Sequence, residues 1–166
     1  GTANKDDSTF TITDKVYDRA ISIDFDNRND AFTVNEEVST ITIGNSYLQS
    51  LYKNAQSEDA NRMNEADFAK FTKITDYIYE QFDLTFGNRI LNQIELLVPT
   101  FIACGGKKED VLDFLLSRKV LAKLEGRFEE YVKPSLKQLL ALLEKVYGAK
   151  TFAKSEHIIN TMIKRL

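Results

Sequence analysis

The first twenty residues bring together amide, carboxylate and guanidinium side chains, the groups that line the rim of a nucleotide site. Asn4 comes first, followed by acids and an Asp-Arg pair: Asp6, Asp7, Asp14, Asp18 and Arg19. Serines and threonines separate them, and few residues suited to a core are present. A segment this polar cannot bury itself alone. We therefore interpret it as the rim of a nucleotide site that a larger body supports.

Arg89, in the stretch FGNRILNQI, is a second candidate site residue, for binding an anion. The apolar residues after it recur at helical spacing, which predicts that Arg89 stands in the first turn of a helix. A cation there is unfavourable toward the helix dipole unless an anion is near. The position therefore predicts either an anion-binding arginine or an exposed or salt-bridged one.

Other residue types that could do chemistry lack the partners they need. The acids Asp24, Asp26 and Asp30 lack the central Gly and the final Glu of a calcium loop. His157, the only histidine, has no ligand or nucleophile at a useful spacing. Cys104 lies in an apolar helix and is interpreted as a buried, inert thiol. The sequence predicts no metal site.

No Gly-rich loop ending in Lys-Ser or Lys-Thr occurs in this sequence. GGKKED at 105–110 has two glycines and a lysine, but lacks the loop length and the hydroxyl that would hold magnesium. These residues therefore cannot cradle phosphates through backbone N–H groups.

Two stretches resemble a known family. GTANKDD followed by STFTITDKVYDRA resembles the stretch from sensor 1 to the arginine finger in AAA+ ATPases, in the branch related to the GTP-hydrolysing subunit of modified-cytosine-dependent restriction systems. FGNRILNQI and LLSRKVLAKLEGRFEEYVKPSLKQLLALLE resemble the lid helices of the same group. Ala122 and Glu125 stand where that group usually has Pro and His.

The resemblance implies a role for three residues. Asn4 would be the sensor 1 residue that orients the attacking water. Arg19 would be the arginine finger that reaches into a neighbouring subunit and stabilises developing charge. Arg89 would be sensor 2, which contacts the nucleotide phosphates from the lid. On residue types alone, Asn4 is a capping Asn and Arg19 part of a surface Asp-Arg pair.

The resemblance also implies the molecular context. We expect the chain to be the C-terminal part of an AAA+ nucleoside triphosphatase of a restriction or DNA-defence machine, inactive alone. The intact enzyme would use ATP or GTP with Mg²⁺, whereas the fragment would hold no cofactor. Its partners would be other subunits of an AAA+ ring and, through the parent protein, a nuclease subunit and DNA.

The periodicities predict a mainly α fold with one or two short β-strands. The resemblance implies that this fold is a helical lid bundle with an N-terminal arm. Residues 1–35 would form the arm and residues 36–166 the lid domain. Alternating patterns predict the strands, Ala20–Asp26 and Val38–Ile43. Six helices and one short helical turn are predicted: Asp14–Ala20, Tyr47–Asn54, Glu65–Phe82, one after 86–89 interrupted by Pro99, Lys108–Leu124, one from Pro134 to Gly148, and Ser155–Leu166. Without a parent sheet, the first twenty residues are expected to be disordered, or the strand Ala20–Asp26 is expected to pair with another copy.

The composition indicates which kinds of partner and which cellular compartment to expect. The net charge of about −3 argues against a general polyanion-binding surface. A single Cys excludes an internal disulfide, and no signal peptide or membrane-spanning run is present, so we expect a cytoplasmic protein with no membrane partner.

Two alternatives remain open. One is a helical protein-interaction module without a nucleotide site. The other is nucleic-acid binding through a basic cluster, formed by Arg118, Lys119 and Lys123 together with Lys133.

Overall fold

The structure is a computed structural model that describes residues 13–23, 39–124 and 130–166. Within these residues it is mainly α-helical, which confirms the predicted fold class. The helices are α1 (Asp14–Arg19), α2 (Asn45–Ser57), α3 (Glu65–Phe82), α4 (Asn88–Ala103), α5 (Lys108–Leu115), α6 (Val132–Tyr147) and α7 (Ala153–Arg165). A 3₁₀ turn at Asp59–Asn61 follows α2.

The core forms around α5 and its continuation to Leu124, a segment buried on most of its sides. Helices α4 and α7 flank α5, while α6 packs against α3 and α7. Each of α3, α4 and α6 buries one apolar stripe at helical spacing. These stripes are Phe71, Ile74, Ile78 and Phe82; Ile90, Ile94 and Val98; and Leu136, Leu139 and Leu143.

Helix α3 begins and ends where local chemistry predicts. Asn64 and Asp67 form a reciprocal capping box, in which each side chain accepts a hydrogen bond from the other residue's backbone N–H, at 2.9 and 3.1 Å. At the other end, Asp83 adopts the left-handed conformation with φ 53°. This turn directs the chain toward α4.

The continuation of α5 is not a regular α-helix. Leu116–Val120 is a π-helical turn and Leu121–Leu124 a 3₁₀ turn. The predicted helix over Lys108–Leu124 is therefore right in extent but wrong in its regularity. Nearly all its side chains are buried, so the apolar pattern alone does not reveal where the pitch changes.

Neither predicted strand forms in the described residues. Residues 20–23 and 39–43 have no regular secondary structure, while 24–26 and Val38 lie outside the described residues. Alternation at 39–43 exposes both sets of side chains, and Ile41 is 80 % exposed. Without a partner strand, the alternating pattern has no ladder to stabilise it.

The arm contacts the bundle through α1. The predicted helical turn is present as α1, which lies against residues 116–124. Val16 and Ile21 in this stretch remain about half exposed, at 49 % and 47 %. Among the described helices, none combines the length and apolarity needed to cross a membrane.

Candidate phosphate-binding site

An open pocket of about 290 Å³ lies at the N-terminal end of α4. Its lining comes from the loop before α4, from the first turn of α4 and from the 3₁₀ turn that ends the α5 continuation. The lining residues are Thr85, Gly87, Asn88, Arg89, Ile90 and Lys123. Two cationic side chains and the start of a helix thus meet at one cavity.

The loop before α4 is anchored on α3. Leu84 is buried, and the ring of Phe86 packs edge-to-face on Phe71 with ring centroids 5.2 Å apart. Gly87 then takes the position before the first helical residue, in extended conformation. The N–H groups of Ile90 and Leu91 both bond to the carbonyl of Gly87, at 2.9 and 3.3 Å.

The electrostatics of the pocket favour an anion. The first N–H groups of a helix have no intrahelical acceptor and carry the positive end of its dipole. The first turn of α4 contains no acidic residue. Arg89 is exposed there, and Lys123 lines the same cavity. A phosphate group would receive both charged and backbone donors at this place.

Of the other two predicted site residues, the structure describes only Arg19. Asn4 lies outside the described residues. Arg19 is exposed at the C-terminal end of α1 and does not line the pocket of Arg89. The structure therefore does not join Arg19 and Arg89 in one pocket.

Lys123 is a pocket residue that the sequence did not single out for this site. It was grouped with Arg118 and Lys119 as a basic cluster. The approach of Lys123 to the start of α4 depends on how the end of the α5 continuation turns, and no local sequence signal reports that contact.

The basic residues Arg118, Lys119 and Lys123 do not form an exposed surface. Lys119 is fully buried, and Arg118 and Lys123 are half-buried. A buried ammonium cannot meet a nucleic-acid backbone, so the interpretation of Lys119 as part of a nucleic-acid contact is wrong. Lys119 is buried because almost every side of the helical segment that contains it packs against the rest of the bundle.

A second polar cluster joins the starts of α3 and α5 away from the pocket. The ammonium of Lys108 lies 2.7 Å from each carboxylate oxygen of Asp67. Burial raises the pKa of Asp67, but hydrogen bonds from Lys108 and Asn64 and the charges of Lys108 and Lys70 outweigh it, so the net pKa is lowered.

Tyr147 lies beside this cluster. Burial first, and then the negative charges of Glu109 and Asp67, raise the pKa of its hydroxyl. Its oxygen is buried and has no hydrogen-bond partner in the described part of the chain. The cluster contributes an ion pair and a neutral phenol, an arrangement that ties helices together and contains no activated nucleophile.

Cys104 and His157 build no site. Cys104 is exposed at the end of α4, contrary to its predicted burial, because the helix ends there and the chain turns through Gly105. His157 is exposed on α7. Within residues 13–23, 39–124 and 130–166, no three His, Cys, Asp or Glu side chains are close enough to hold a metal ion.

An apolar surface lies on the other side of α4. Helix α2 contacts α4 yet buries none of its residues, and four of its apolar side chains are exposed: Tyr47, Leu48, Leu51 and Tyr52. A groove of about 450 Å³ lies beside it and is lined by apolar residues that include Met63, Phe68 and Pro99, together with the polar residues Gln56, Arg62 and Glu95. We call this region the α2 surface.

One known protein family matches most of the chain. The family described as Domain of unknown function (DUF8727) matches residues 37–166. The chain belongs to the DUF8727 family. The DUF8727 match includes α2 to α7 with Arg89 and Lys123, and leaves out α1 with Arg19. No curated protein and no solved structure matches the chain.

Proposed function

We propose that the chain provides the lid and the arginine-finger segment of an AAA+ nucleoside triphosphatase. The observation that carries this proposal is the pocket at the start of α4, where Arg89 and Lys123 meet a helix N-terminus that contains no first-turn acid. The pocket is open, as a lid surface that closes over a nucleotide bound on another domain must be.

Arg89 is the residue that would contact the nucleotide in this account. Its planar guanidinium can donate two parallel hydrogen bonds to a phosphate, and the dipole of α4 adds to the attraction. Lys123 supplies a second cation from a different element. The pair binds phosphate from one side only, so the remaining phosphate ligands belong to the AAA+ core.

Arg19 has a separate role in the proposed enzyme. It is exposed at the end of α1 and lies outside the Arg89 pocket, which suits a side chain that acts on the nucleotide of a neighbouring subunit. There it would stabilise charge that develops as the terminal phosphoryl group is transferred. ATP or GTP with Mg²⁺ would be the substrate, and Mg²⁺ would neutralise phosphate charge. Asn4 would orient the attacking water.

We further propose the setting of this enzyme from the resemblance of its motifs. It would work as a cytoplasmic AAA+ ring of a restriction or DNA-defence machine, with a nuclease subunit and DNA as partners of the whole assembly. The exposed apolar side chains Ile21 and Ile23 beside α1 are surfaces that a neighbouring body would cover.

The Arg89 pocket is tested by nucleotide binding to the protein encoded by the complete reading frame. Arg89→Ala should weaken the affinity for ATP or GTP by about tenfold or more, the loss expected for a hydrogen-bonded charged partner. Arg165→Ala removes an exposed arginine from the last turn of α7 and serves as the matched control. Equal affinities of the wild type and Arg89→Ala would refute the pocket assignment.

A helical protein-interaction module is the second candidate, and the α2 surface favours it. A helix of 13 residues with no buried side chain and four exposed large apolar ones is suited to docking a protein partner. The reading frame ahead of Gly1 discriminates the two. A phosphate loop followed by a strand that ends in acids supports the triphosphatase, whereas a start codon close to Gly1 supports the module.

A further inference from the structure

Lys119 is a fully buried lysine in the middle of the π-helical turn Leu116–Val120. Its neighbours Val120 and Leu121 are buried as well. A buried ammonium is costly unless its hydrogens are accepted. The Nζ of Lys119 donates a hydrogen bond to the backbone carbonyl of Ala20, which lies 99 positions earlier in the chain. A residue of the bundle core thus holds the backbone of the arm.

Ala20 is the residue that ends α1, directly after Arg19. Its own N–H bonds to the carbonyl of Val16 at 2.8 Å. The last carbonyls of a helix have no intrahelical donor and carry the negative end of its dipole, so a cation at this end is favourable. A helix of six residues is not stable in isolation. The contact with Lys119 therefore helps to keep α1 formed and in place.

The segment that holds the arm also reaches the Arg89 pocket. Lys119 contacts Ala20, and Lys123, four positions further along, lines the pocket at the start of α4. Residues 116–124 thus connect the end of α1 with the surface that contains Arg89. Since this segment is packed in the core, it can transmit a change of position between the two.

We propose that Lys119 is a positioning residue that fixes Arg19 relative to the Arg89 pocket. The chemistry assigned to Arg19 rests on the proposed function, whereas the attachment of α1 by Lys119 does not. When the bundle moves with the nucleotide at Arg89, the arm moves with it, and the guanidinium of Arg19 is carried toward or away from the next subunit. The position of the lid in one subunit would thereby determine the position of its Arg19 at the nucleotide of the neighbouring subunit.

Hydrogen exchange of the full chain tests the attachment. Lys119→Met removes the donor and keeps an apolar side chain of similar length, and Lys119→Arg restores a cationic donor. In Lys119→Met the amides of 14–20 should exchange about tenfold faster, the change expected when one hydrogen bond from a charged donor is lost. Lys119→Arg should recover part of the protection. Lys164→Met, on an exposed lysine of α7, is the control.

Protection of the amides of α4 shows in the same experiment that the bundle is still folded. Unchanged exchange of 14–20 in Lys119→Met, with α4 intact, would overturn the proposal. Faster exchange confined to 14–20 and reversed in Lys119→Arg would support it.

Hydrolysis by the protein encoded by the complete reading frame is a separate readout. A fall in kcat with unchanged KM in Lys119→Met links the attachment to Arg19, and an unchanged kcat would refute that link. A wild type without hydrolysis would contradict the proposed function while leaving the exchange result to decide the attachment.

Discussion

The carboxylate of Asp113 accepts a hydrogen bond of 2.8 Å from the backbone N–H of Ser155. Its second oxygen accepts one of 2.9 Å from the N–H of Lys154. Asp113 belongs to α5 and is 4 % exposed, while Ser155 is fully buried in the first turn of α7. A side chain of the central helix therefore satisfies the N–H groups that the start of α7 leaves without an intrahelical acceptor.

Removing this cap should destabilise the bundle. Asp113→Ala leaves the buried N–H of Ser155 and the partly buried N–H of Lys154 without this acceptor, and we expect the free energy of unfolding to fall by about 2 kcal/mol. Urea denaturation measures the loss. Asp76→Ala, on an exposed carboxylate of α3, is the matched control and should change stability by less than about 0.5 kcal/mol. Equal losses in the two variants would show that the Asp113 contacts contribute nothing.

The same contact shows a limit of sequence reasoning. The sequence predicts that the last helix begins at Ser155, a residue type that is common at the start of helices. The structure starts α7 at Ala153 and supplies the cap from Asp113, 42 positions earlier. The cap of α3 is local by contrast, since Asn64 and its partner Asp67 are three residues apart. Local partners can be read from the order of residues, whereas a partner brought by tertiary packing cannot.

The ion pair between Asp67 and Lys108 should make stability depend on pH. The folded pKa of Asp67 lies below its ordinary value of 3.8, so the stabilisation is present above that value and is lost as the pH falls through the folded pKa. Lys108→Met removes the partner. We expect it to lower the free energy of unfolding at pH 7 by at most about 1 kcal/mol, because the pair is partly exposed.

Comparison at two pH values isolates this effect. The difference between wild type and Lys108→Met should shrink when urea denaturation is repeated at a pH well below 3.8, because Asp67 takes up a proton as the pH falls through its lowered folded pKa. Lys164→Met should show no such dependence, since Lys164 is exposed on α7. A difference for Lys108→Met that is the same at both pH values would contradict the ion pair.

Tyr147 should tolerate the loss of its hydroxyl. The ring packs on Phe152 at a centroid distance of 4.5 Å, and the buried oxygen has no partner in the described residues. Tyr147→Phe keeps the ring and removes an unsatisfied polar group, so stability should be unchanged or rise by about 1 kcal/mol. Tyr79→Phe, on an exposed tyrosine, controls for the substitution. A clear loss of stability in Tyr147→Phe alone, measured by thermal unfolding, would mean that the hydroxyl is bonded.

Gly148 ends α6 in a conformation that other residues avoid. Its φ is 93° and its ψ 158°, a region populated almost only by glycine. Gly148→Ala should therefore lower the free energy of unfolding by about 1–3 kcal/mol. Ala149→Ser, at the exposed next position, should be close to neutral in the same urea titration. A neutral Gly148→Ala would show that the turn relaxes without strain.

The candidate site was only partly predictable. The dipole mismatch of Arg89 pointed to the start of α4, where the pocket lies. Lys123 was missed, because its approach depends on the irregular turns after α5. The interpretation of Lys119 as a surface cation is wrong, because a lysine is usually exposed. The sequence does not show that the carbonyl of Ala20, 99 positions earlier, accepts its hydrogen bond. The alternation over Val38–Ile43 predicted a strand, but residues 39–43 pair with no strand among the described residues.

Hydrolysis by the protein encoded by the complete reading frame tests the central claim most directly. ATP and GTP turnover and nucleotide affinity are compared for wild type, Arg19→Ala, Arg19→Lys and the control Arg165→Ala. We predict that wild type and the control hydrolyse nucleotide, and that both Arg19 variants bind it normally while losing about 10³-fold or more in turnover. Unchanged turnover in Arg19→Ala, or a wild type that neither binds nor hydrolyses nucleotide, would contradict the account.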